Sequence, residues 1–241
     1  MTHTPQNLVI LTGAGISAES GISTFRDAGG LWEGHHIEDV ASPRGFARDP
    51  ALVHHFYNLR RAQLACVAPN AAHLALAALE RAWRAARRGQ FLLITQNVDD
   101  LHERAGSQRL VHMHGELRKL RCTACDTILD WPGPATPQTP CPACARPGGT
   151  LRPDIVWFGE VPYQMETCLR ALLAADIFCA IGTSGLVYPA AGFAQTALEN
   201  GRACRLFEIN PKPTGTDLFD DVIAEPASTG VAEFVRRLQP A

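Results

Sequence analysis

No run of this 241-residue chain is apolar for long enough to cross a membrane: its longest apolar stretches, residues 92–95 and 177–181 among them, fall far below the roughly 20 residues that a spanning helix needs. No secretory leader is expected either, because Met1-Thr2-His3-Thr4-Pro5-Gln6-Asn7 has neither a basic stretch nor an apolar core and runs directly into Leu8-Val9-Ile10-Leu11-Thr12. A cytoplasmic protein is the expectation. Excess charge is lacking too. A net charge of -2 offers no general attraction to nucleic acid. The Arg-rich residues 81–88 lie beside Ala78, Leu79, Ala82, Trp83 and Ala86 at helical spacing and read as a solvated helix face. Eight cysteines are too sparse for a disulfide scaffold. Four of them form two C-x-x-C pairs, while Cys66, Cys168, Cys179 and Cys204 are scattered in apolar surroundings, a division that points to a metal site plus ordinary buried thiols.

What is present is a chain 46% hydrophobic, enough for one large domain or one domain with a small insert. Residues 8–12 form a short run of strand formers, followed by Gly13-Ala14-Gly15 and helix-starting residues, a strand-turn-helix opening. Asn70 after Pro69 is an N-cap for an Ala-rich helix through Arg88, closed by Gly89, and residues 91–95 read as a buried strand. Alternation resumes with a strand at 176–181, a helix at 190–200 and a strand at 204–209. Ser228 is placed to cap a last helix with Val231, Phe234, Val235 and Leu238 on one face. Such alternation predicts an α/β fold, a Rossmann-like doubly wound parallel sheet, interrupted by a Pro-, Gly- and Cys-rich insert at 121–150.

Gly13 and Gly15 after a buried strand suit a backbone that turns sharply and approaches a pyrophosphate, with the next helix aiming its N-terminal N–H groups at the charge. The dinucleotide fingerprint is incomplete, since its third glycine is Ala18 and no acidic residue follows at the end of a clear second strand, so an ordinary tight turn stays open. Gln96, Asn97 and Asp99 fall where the 91–95 strand ends, at the edge where doubly wound sheets bind ligands; a helix cap by Asn97 or Asp99 is the alternative. Gly182-Thr183-Ser184 and Glu208-Ile209-Asn210 end two further strands on that edge, and Glu208 or Asn210 is placed to supply ribose hydrogen bonds. In Leu110-Val111-His112-Met113-His114-Gly115, read as a strand, the two-residue period puts His112 and His114 on one side and cannot choose a base between them. His73 reads as a packed structural histidine.

Cys122-x-x-Cys125 and Cys141-x-x-Cys144 supply four thiolates in two close pairs, the donor set of tetrahedral Zn2+. With no position left for water, such a site is structural. A redox C-x-x-C is the alternative, against which neither pair opens a helix next to a strand. Residues 49–61 suit a helix with Leu52, Phe56 and Leu59 buried, which makes Tyr57 and Arg60 i, i+3 neighbours. A phenol and a guanidinium side by side can hold a carboxylate, the arginine bidentately, although a solvent-facing arginine beside a core tyrosine has the same spacing.

The segment from Gly13 through Phe25, Arg26 and Asp27 to Trp32 resembles the opening NAD motif of the sirtuin family, meeting each of its fixed positions. The later motifs follow in the family's order to about Ala227. The resemblance implies NAD contacts from Gly13, Ala14, Gly15, Ser17, Glu19, Thr24, Phe25, Arg26 and Trp32, in a loop that orders when NAD binds. It further implies that Gln96, Asn97, Val98 and Asp99 hold nicotinamide and its ribose. Gly182, Thr183, Ser184, Glu208, Ile209 and Asn210 would hold the adenosine side, and Ala227 would contribute backbone. His114, directly before glycine, is the family's general base, with Asn97 and Asp99 positioning the reacting ribose. Tyr57-x-x-Arg60, with the small Ala41, is similar to the class that removes succinyl, malonyl or glutaryl groups. Val156, Trp157, Phe158 and Gly159 resemble the strand on which the acyl-lysine peptide packs, though Trp157 and Phe158 could equally be junction core.

The implied activity is an NAD-consuming protein deacylase acting on acylated lysine side chains. It would yield nicotinamide, lysine and 2'-O-acyl-ADP-ribose, without nucleic acid or membrane partners, as a monomer. A deacetylase, an ADP-ribosyltransferase and a non-catalytic NAD-binding module are the other readings. The implied division is a large domain at about 1–30, 68–118 and 152–241, with a small domain of a helical insert (31–67) and a zinc module (119–151).

Overall fold

In the computed structural model, residues 6–23, 31–32 (backbone only), 34–199, 201 and 203–238 are described. Strand β1 (Leu8–Thr12) is followed by two 3-10 turns, Ala14–Ile16 and Ala18–Ser20, then the short ribbon β2 (Leu31–Trp32) and β3 (His35–His36). Three helices come next: α1 (Ile37–Val40), α2 (Pro43–Arg48) and α3 (Pro50–Leu64). The chain continues through α4 (Ala71–Ala85), β4 (Phe91–Thr95), α5 (Leu101–Ala105) and β5 (Leu110–His112). Strands β6 (Gly115–Cys122), β7 (Ile128–Asp130) and β8 (Leu151–Ile155) precede α6 (Met165–Leu173), β9 (Ile177–Ile181), α7 (Phe193–Leu198), β10 (Arg205–Ile209), β11 (Asp221–Ile223) and α8 (Ala227–Arg237).

Six strands form one parallel sheet in the order β11-β10-β9-β1-β4-β5. All five residues of β1 and of β9 are buried, as central strands covered on both faces require. Leu8 and Ile10 point to the face closed by Leu76 and Trp83 of α4 and Phe234 of α8. Val9 and Leu11 point to the other, closed by Leu172 of α6 and Phe193 of α7. The chain winds one way from β1 through β4 to β5 and the other way from β9 to β11, so its direction reverses between β1 and β9, and a crevice opens off their carboxyl ends.

A separate antiparallel sheet, β7-β6-β8, carries two further cores. Phe56 and Tyr57 of α3 pack with Leu117, Ile155 and Trp157, while Leu120, Ala135 and Leu151 fill the cysteine-rich end. No helix among the described residues is long and apolar enough to cross a membrane.

Several expected boundaries move. The helix expected after Gly15 is replaced by the two 3-10 turns, so no α-helix begins directly after the glycines among the described residues. The 190–200 helix divides into a 3-10 turn, Ala190–Gly192, and α7. Helix α4 stops at Ala85 because Arg87 and Gly89 take positive φ. Asn70 caps it as expected, in a capping box with His73. Ser228 does not cap α8. It is the second residue of that helix, and its N–H and hydroxyl donate to the Glu19 carboxylate at 2.9 and 2.6 Å, so the acidic group at this helix start comes from the glycine loop. On α3, Leu59 is 53% exposed and Tyr57 takes its place in the core. Cys66 is exposed, whereas Cys168, Cys179 and Cys204 are buried.

Candidate active site

The loops that leave β1 and β9 are packed backbone against backbone. Gly15 N–H donates to Gly182 O at 2.9 Å, and a Cβ added at Gly15 would lie 2.6 Å from the Gly182 Cα. Gly13 leaves no more room, and Gly182 holds φ +60°, which favours glycine. The absence of side chains therefore serves loop-on-loop packing at the reversal point. Thr183 O accepts from the Asn210 Nδ2 at 2.8 Å, and the Ser184 hydroxyl accepts from Leu186 N. Glu208 is 2% exposed, its two oxygens accepting from Thr214 N and Oγ1 at 2.8 and 3.1 Å. Of the two ribose-partner candidates, Glu208 is thus committed to holding the 214 turn, and Asn210 to tying the β10 and β9 loops together. Ile209 and Ala227 lie in the core. Thr24, Phe25 and Arg26 fall outside the described residues, as does the side chain of Trp32.

Across β1, the end of β4 holds a buried polar cluster. The Ser17 hydroxyl donates to Asp99 Oδ2 at 2.9 Å and accepts from Asn97 Nδ2 at 3.1 Å. Asp99 also accepts from Leu101 N at 3.1 Å, although the cap position of α5 is Asp100, which makes no side-chain cap hydrogen bond. Burial pushes the Asp99 carboxyl above its usual range, and the Leu101 and Ser17 hydrogen bonds oppose that. Gln96 and Val98 are half-buried; Gln96 N donates to Thr12 O at 2.9 Å, and Val98 O accepts from Leu117 N at 2.8 Å, so both are set by their backbones.

The structure separates the two histidines that periodicity could not. Strand β5 ends at His112, so the strand period does not carry on to His114, and the two rings take different partners. His112 Nδ1 lies 3.1 Å from Asn97 O and its Nε2 2.5 Å from Glu103 Oε1; both partners only accept, so both nitrogens donate and the ring is an imidazolium. Burial works against that charge, but the bond and charge of Glu103 outweigh it and raise the pKa above the ordinary value. A ring with no lone pair cannot act as a base. His114 Nδ1 lies 3.1 Å from Gln96 O, which likewise only accepts, so the proton sits on Nδ1 and Nε2 keeps its lone pair. Burial lowers the His114 pKa below the usual histidine value. Glu103, His112 and Glu116 bring three ligand-type atoms within 4.8 Å, yet Glu116 pairs with Lys119 at 2.6 Å and Glu103 with His112, so the group is charge-balanced as it stands. Glu103, on α5, is the residue that sequence reasoning missed; its only signal was an acidic side chain in a segment with no other motif. His73 is fully buried and structural.

Residues 156–159 are strapped to this site. Val156 N donates to His114 O at 2.9 Å and Phe158 N to Ala41 O at 3.0 Å. Trp157 is buried and donates from Nε1 to the Tyr57 hydroxyl at 2.9 Å, whereas Phe158 is 51% exposed and Gly159 takes φ +91°. Of the two aromatics, Trp157 is junction core and Phe158 is not. Ala41 is buried beside Tyr57 in the same cluster. Burial holds the Tyr57 phenol in its neutral form by raising its pKa. Arg60 stacks 3.5 Å over the Phe56 ring, with Nη1 donating to Phe56 O at 2.7 Å. Tyr57 therefore sits with Ala41 and Trp157, and Arg60 lies against Phe56 on the same helix.

At the end of β6 the four cysteines converge. Cys122 and Cys144 sulfurs are 3.8 Å apart and those of Cys125 and Cys141 4.0 Å. Zn–S bonds of about 2.3 Å in a tetrahedron put sulfurs about 3.8 Å apart, so the set fits Zn2+. Asp126 and Ala145, which follow the two C-x-x-C turns, both take positive φ, curling each turn around its cysteine pair. Neither pair begins a helix, which disposes of the redox alternative.

Residues 13–189 match the family model described as "Sir2 family". A protein of Bdellovibrio bacteriovorus named NAD-dependent protein deacylase is 56% identical over 95% of this chain and 95% of its own. Among solved structures, a Sir2 homologue in complex with NAD superimposes with a TM-score of 0.84 at 40% identity, covering 95% of this chain and 88% of that one. Another, titled Sir2 bound to acetylated peptide, has a TM-score of 0.79 at 26% identity, covering 96% and 92%. Taken with a doubly wound sheet, a glycine loop at its reversal point and a four-cysteine site on a β-ribbon, these matches mean that this chain belongs to the Sir2 family, the sirtuins.

Proposed function

We propose that this protein is an NAD-dependent protein-lysine deacylase that removes succinyl and malonyl groups as well as acetyl, passing the acyl group to ADP-ribose. The observation that carries the reading is the state of His114: a neutral ring whose Nδ1 is fixed by Gln96 O and whose Nε2 is a lone pair, next to the buried Ser17-Asn97-Asp99 cluster. Bound NAD supplies an electrophilic ribose carbon and nicotinamide as leaving group. The acyl-lysine carbonyl oxygen displaces nicotinamide at that carbon; His114 Nε2 then takes the proton of a neighbouring ribose hydroxyl as its oxygen adds to the acyl carbon, whose C–N bond to lysine breaks to release the amine and, with water, 2'-O-acyl-ADP-ribose. Asn97 and Asp99 orient the ribose, held rigid by sharing the Ser17 hydroxyl. The 156–159 segment receives the peptide as an added strand.

The Tyr57 hydroxyl and Arg60 guanidinium receive the acyl carboxylate, and Ala41 leaves room for the longer chain. The helices of 31–67 and the module of 119–151 form one small domain against the large parallel-sheet domain. The protein works in the cytoplasm as a monomer on acylated lysines of other proteins.

The test is deacylation of succinyl- and acetyl-lysine peptides by the wild type, Arg60→Met and His114→Ala. Loss of the base costs about 10²–10⁴ in kcat on both peptides. Loss of a charged hydrogen bond to the carboxylate raises the succinyl KM by roughly 10- to 100-fold and spares acetyl. Equal losses on both peptides for Arg60→Met would sink the acidic-acyl reading. Label passing from NAD into protein with acyl-lysine intact would sink the deacylase reading.

A further inference from the structure

On the acidic-acyl reading Tyr57 and Arg60 serve the acyl group from α3, and the residues interleaved with them do something else. Asn58 Nδ2 donates to Ala135 O at 2.8 Å while Ala135 N donates to Asn58 Oδ1 at 2.9 Å, a reciprocal pair like one rung of a β-ladder. Ala135 is itself 1% exposed, in the core of the cysteine-rich module with Leu120 and Leu151. Arg61 donates from Nη1 to Asn58 Oδ1 at 2.6 Å and from Nε to Leu117 O on β6 at 3.0 Å. His54 Nε2 donates to Leu151 O on β8 at 3.1 Å. His54, Asn58 and Arg61 are spaced i, i+4 and i+7, one stripe of the helix, so α3 is bolted along its length to three segments, two of them, Ala135 and Leu151, in the cysteine-rich module and the third at Leu117 on β6.

Apolar packing is non-directional and leaves a helix some freedom to roll. Hydrogen bonds remove that freedom. Since consecutive residues of a helix are about 100° apart, fixing the 54-58-61 stripe fixes the direction in which Tyr57 and Arg60 leave the axis. We infer that Asn58 is a positioning residue for acyl specificity: through its paired bond to Ala135, the cysteine-rich module sets the roll of α3 and thereby the aim of Tyr57 and Arg60. A carboxylate gripped bidentately is sensitive to that aim, whereas an acetyl methyl group needs only space. The inference rests on the acidic-acyl reading proposed above.

Full-length zinc-loaded protein carrying Asn58→Ala, Asn58→Asp or Arg60→Met tests it, by KM and kcat on succinyl- and acetyl-lysine peptides, hydrogen exchange of the α3 amides, and zinc content. Because small misplacements at a binding group are costly, Asn58→Ala is expected to raise the succinyl KM about tenfold while kcat and the acetyl KM stay within about twofold. Amide exchange in α3 should rise with zinc content unchanged. Asn58→Asp retains the acceptor for both Ala135 N and Arg61, gives an intermediate KM, and serves if Asn58→Ala does not fold. An equal rise on both peptides, or none on either, while Arg60→Met discriminates between them, overturns the role of Asn58 alone. Failure of Arg60→Met to discriminate overturns the acidic-acyl reading, and this inference with it.

Discussion

The Ser17 hydroxyl has one proton to give and gives it to Asp99, while its lone pair takes the Asn97 amide. Two segments some 80 residues apart in the chain are thereby held by a single oxygen. The same accounting of donors and acceptors assigns the histidines: His112 has two acceptors and is charged, His114 has one and is neutral. A base kept neutral by burial stays competent at lower pH than a free histidine. The acid limb of kcat/KM for acetyl-lysine peptide is therefore expected below pH 6.5, the ordinary histidine value, as its lowered pKa requires. A limb at or above that pH would show that His114 is not the titrating base.

At the scale of elements, the site depends on how closely the β1 and β9 loops approach. Gly15→Ala would put a methyl carbon 2.6 Å from the Gly182 Cα, where backbone, not a flexible side chain, must yield. Overpacking of that kind costs about 1–3 kcal/mol. A lower thermal midpoint together with a raised KM for NAD is expected, and an unchanged midpoint would mean that the loops separate freely. Glu19 adds a second tie, since its carboxylate takes both donors of Ser228 at the start of α8. The glycine loop is thus anchored to the β9 loop on one side and to the C-terminal helix on the other.

For the molecule as a whole, buried neutral histidines set how stability responds to acid. Burial lowers the pKa of His73 to about 4, and His54 and His102 move in the same direction. Between pH 4 and 6.5 the unfolded chain binds a proton that buried His73 does not, so stability is full above 6.5 and is lost as pH falls toward 4. For His73 the loss is about 3 kcal/mol. His112 has the opposite sign: the stability it adds is full below its unfolded pKa and is lost as pH rises through its raised folded value. Melting temperatures should fall on acidification below pH 6.5. His73→Gln, which preserves the capping-box acceptor for Asn70 without a titrating ring, should flatten that fall. A slope unaltered by the substitution would assign the effect to other groups.

The parallel sheet, its ligand edge and the cysteine site were legible in the sequence because each is written locally: apolar runs of strand length, polar residues at their ends, paired thiols at metal spacing. Asn70 as a cap and the buried strands at 91–95 and 177–181 follow from the same short-range rules. What only tertiary structure decided depends on partners distant in the chain. Glu103 makes His112 a cation, the Gly182 backbone leaves Gly15 no room for a side chain, Glu19 instead of Ser228 serves the start of α8, and Ala135 holds Asn58. A side chain's chemistry is set by the donors and charges that surround it. For these residues the surroundings come from segments 9 to 209 residues apart in the chain, brought together only by the fold.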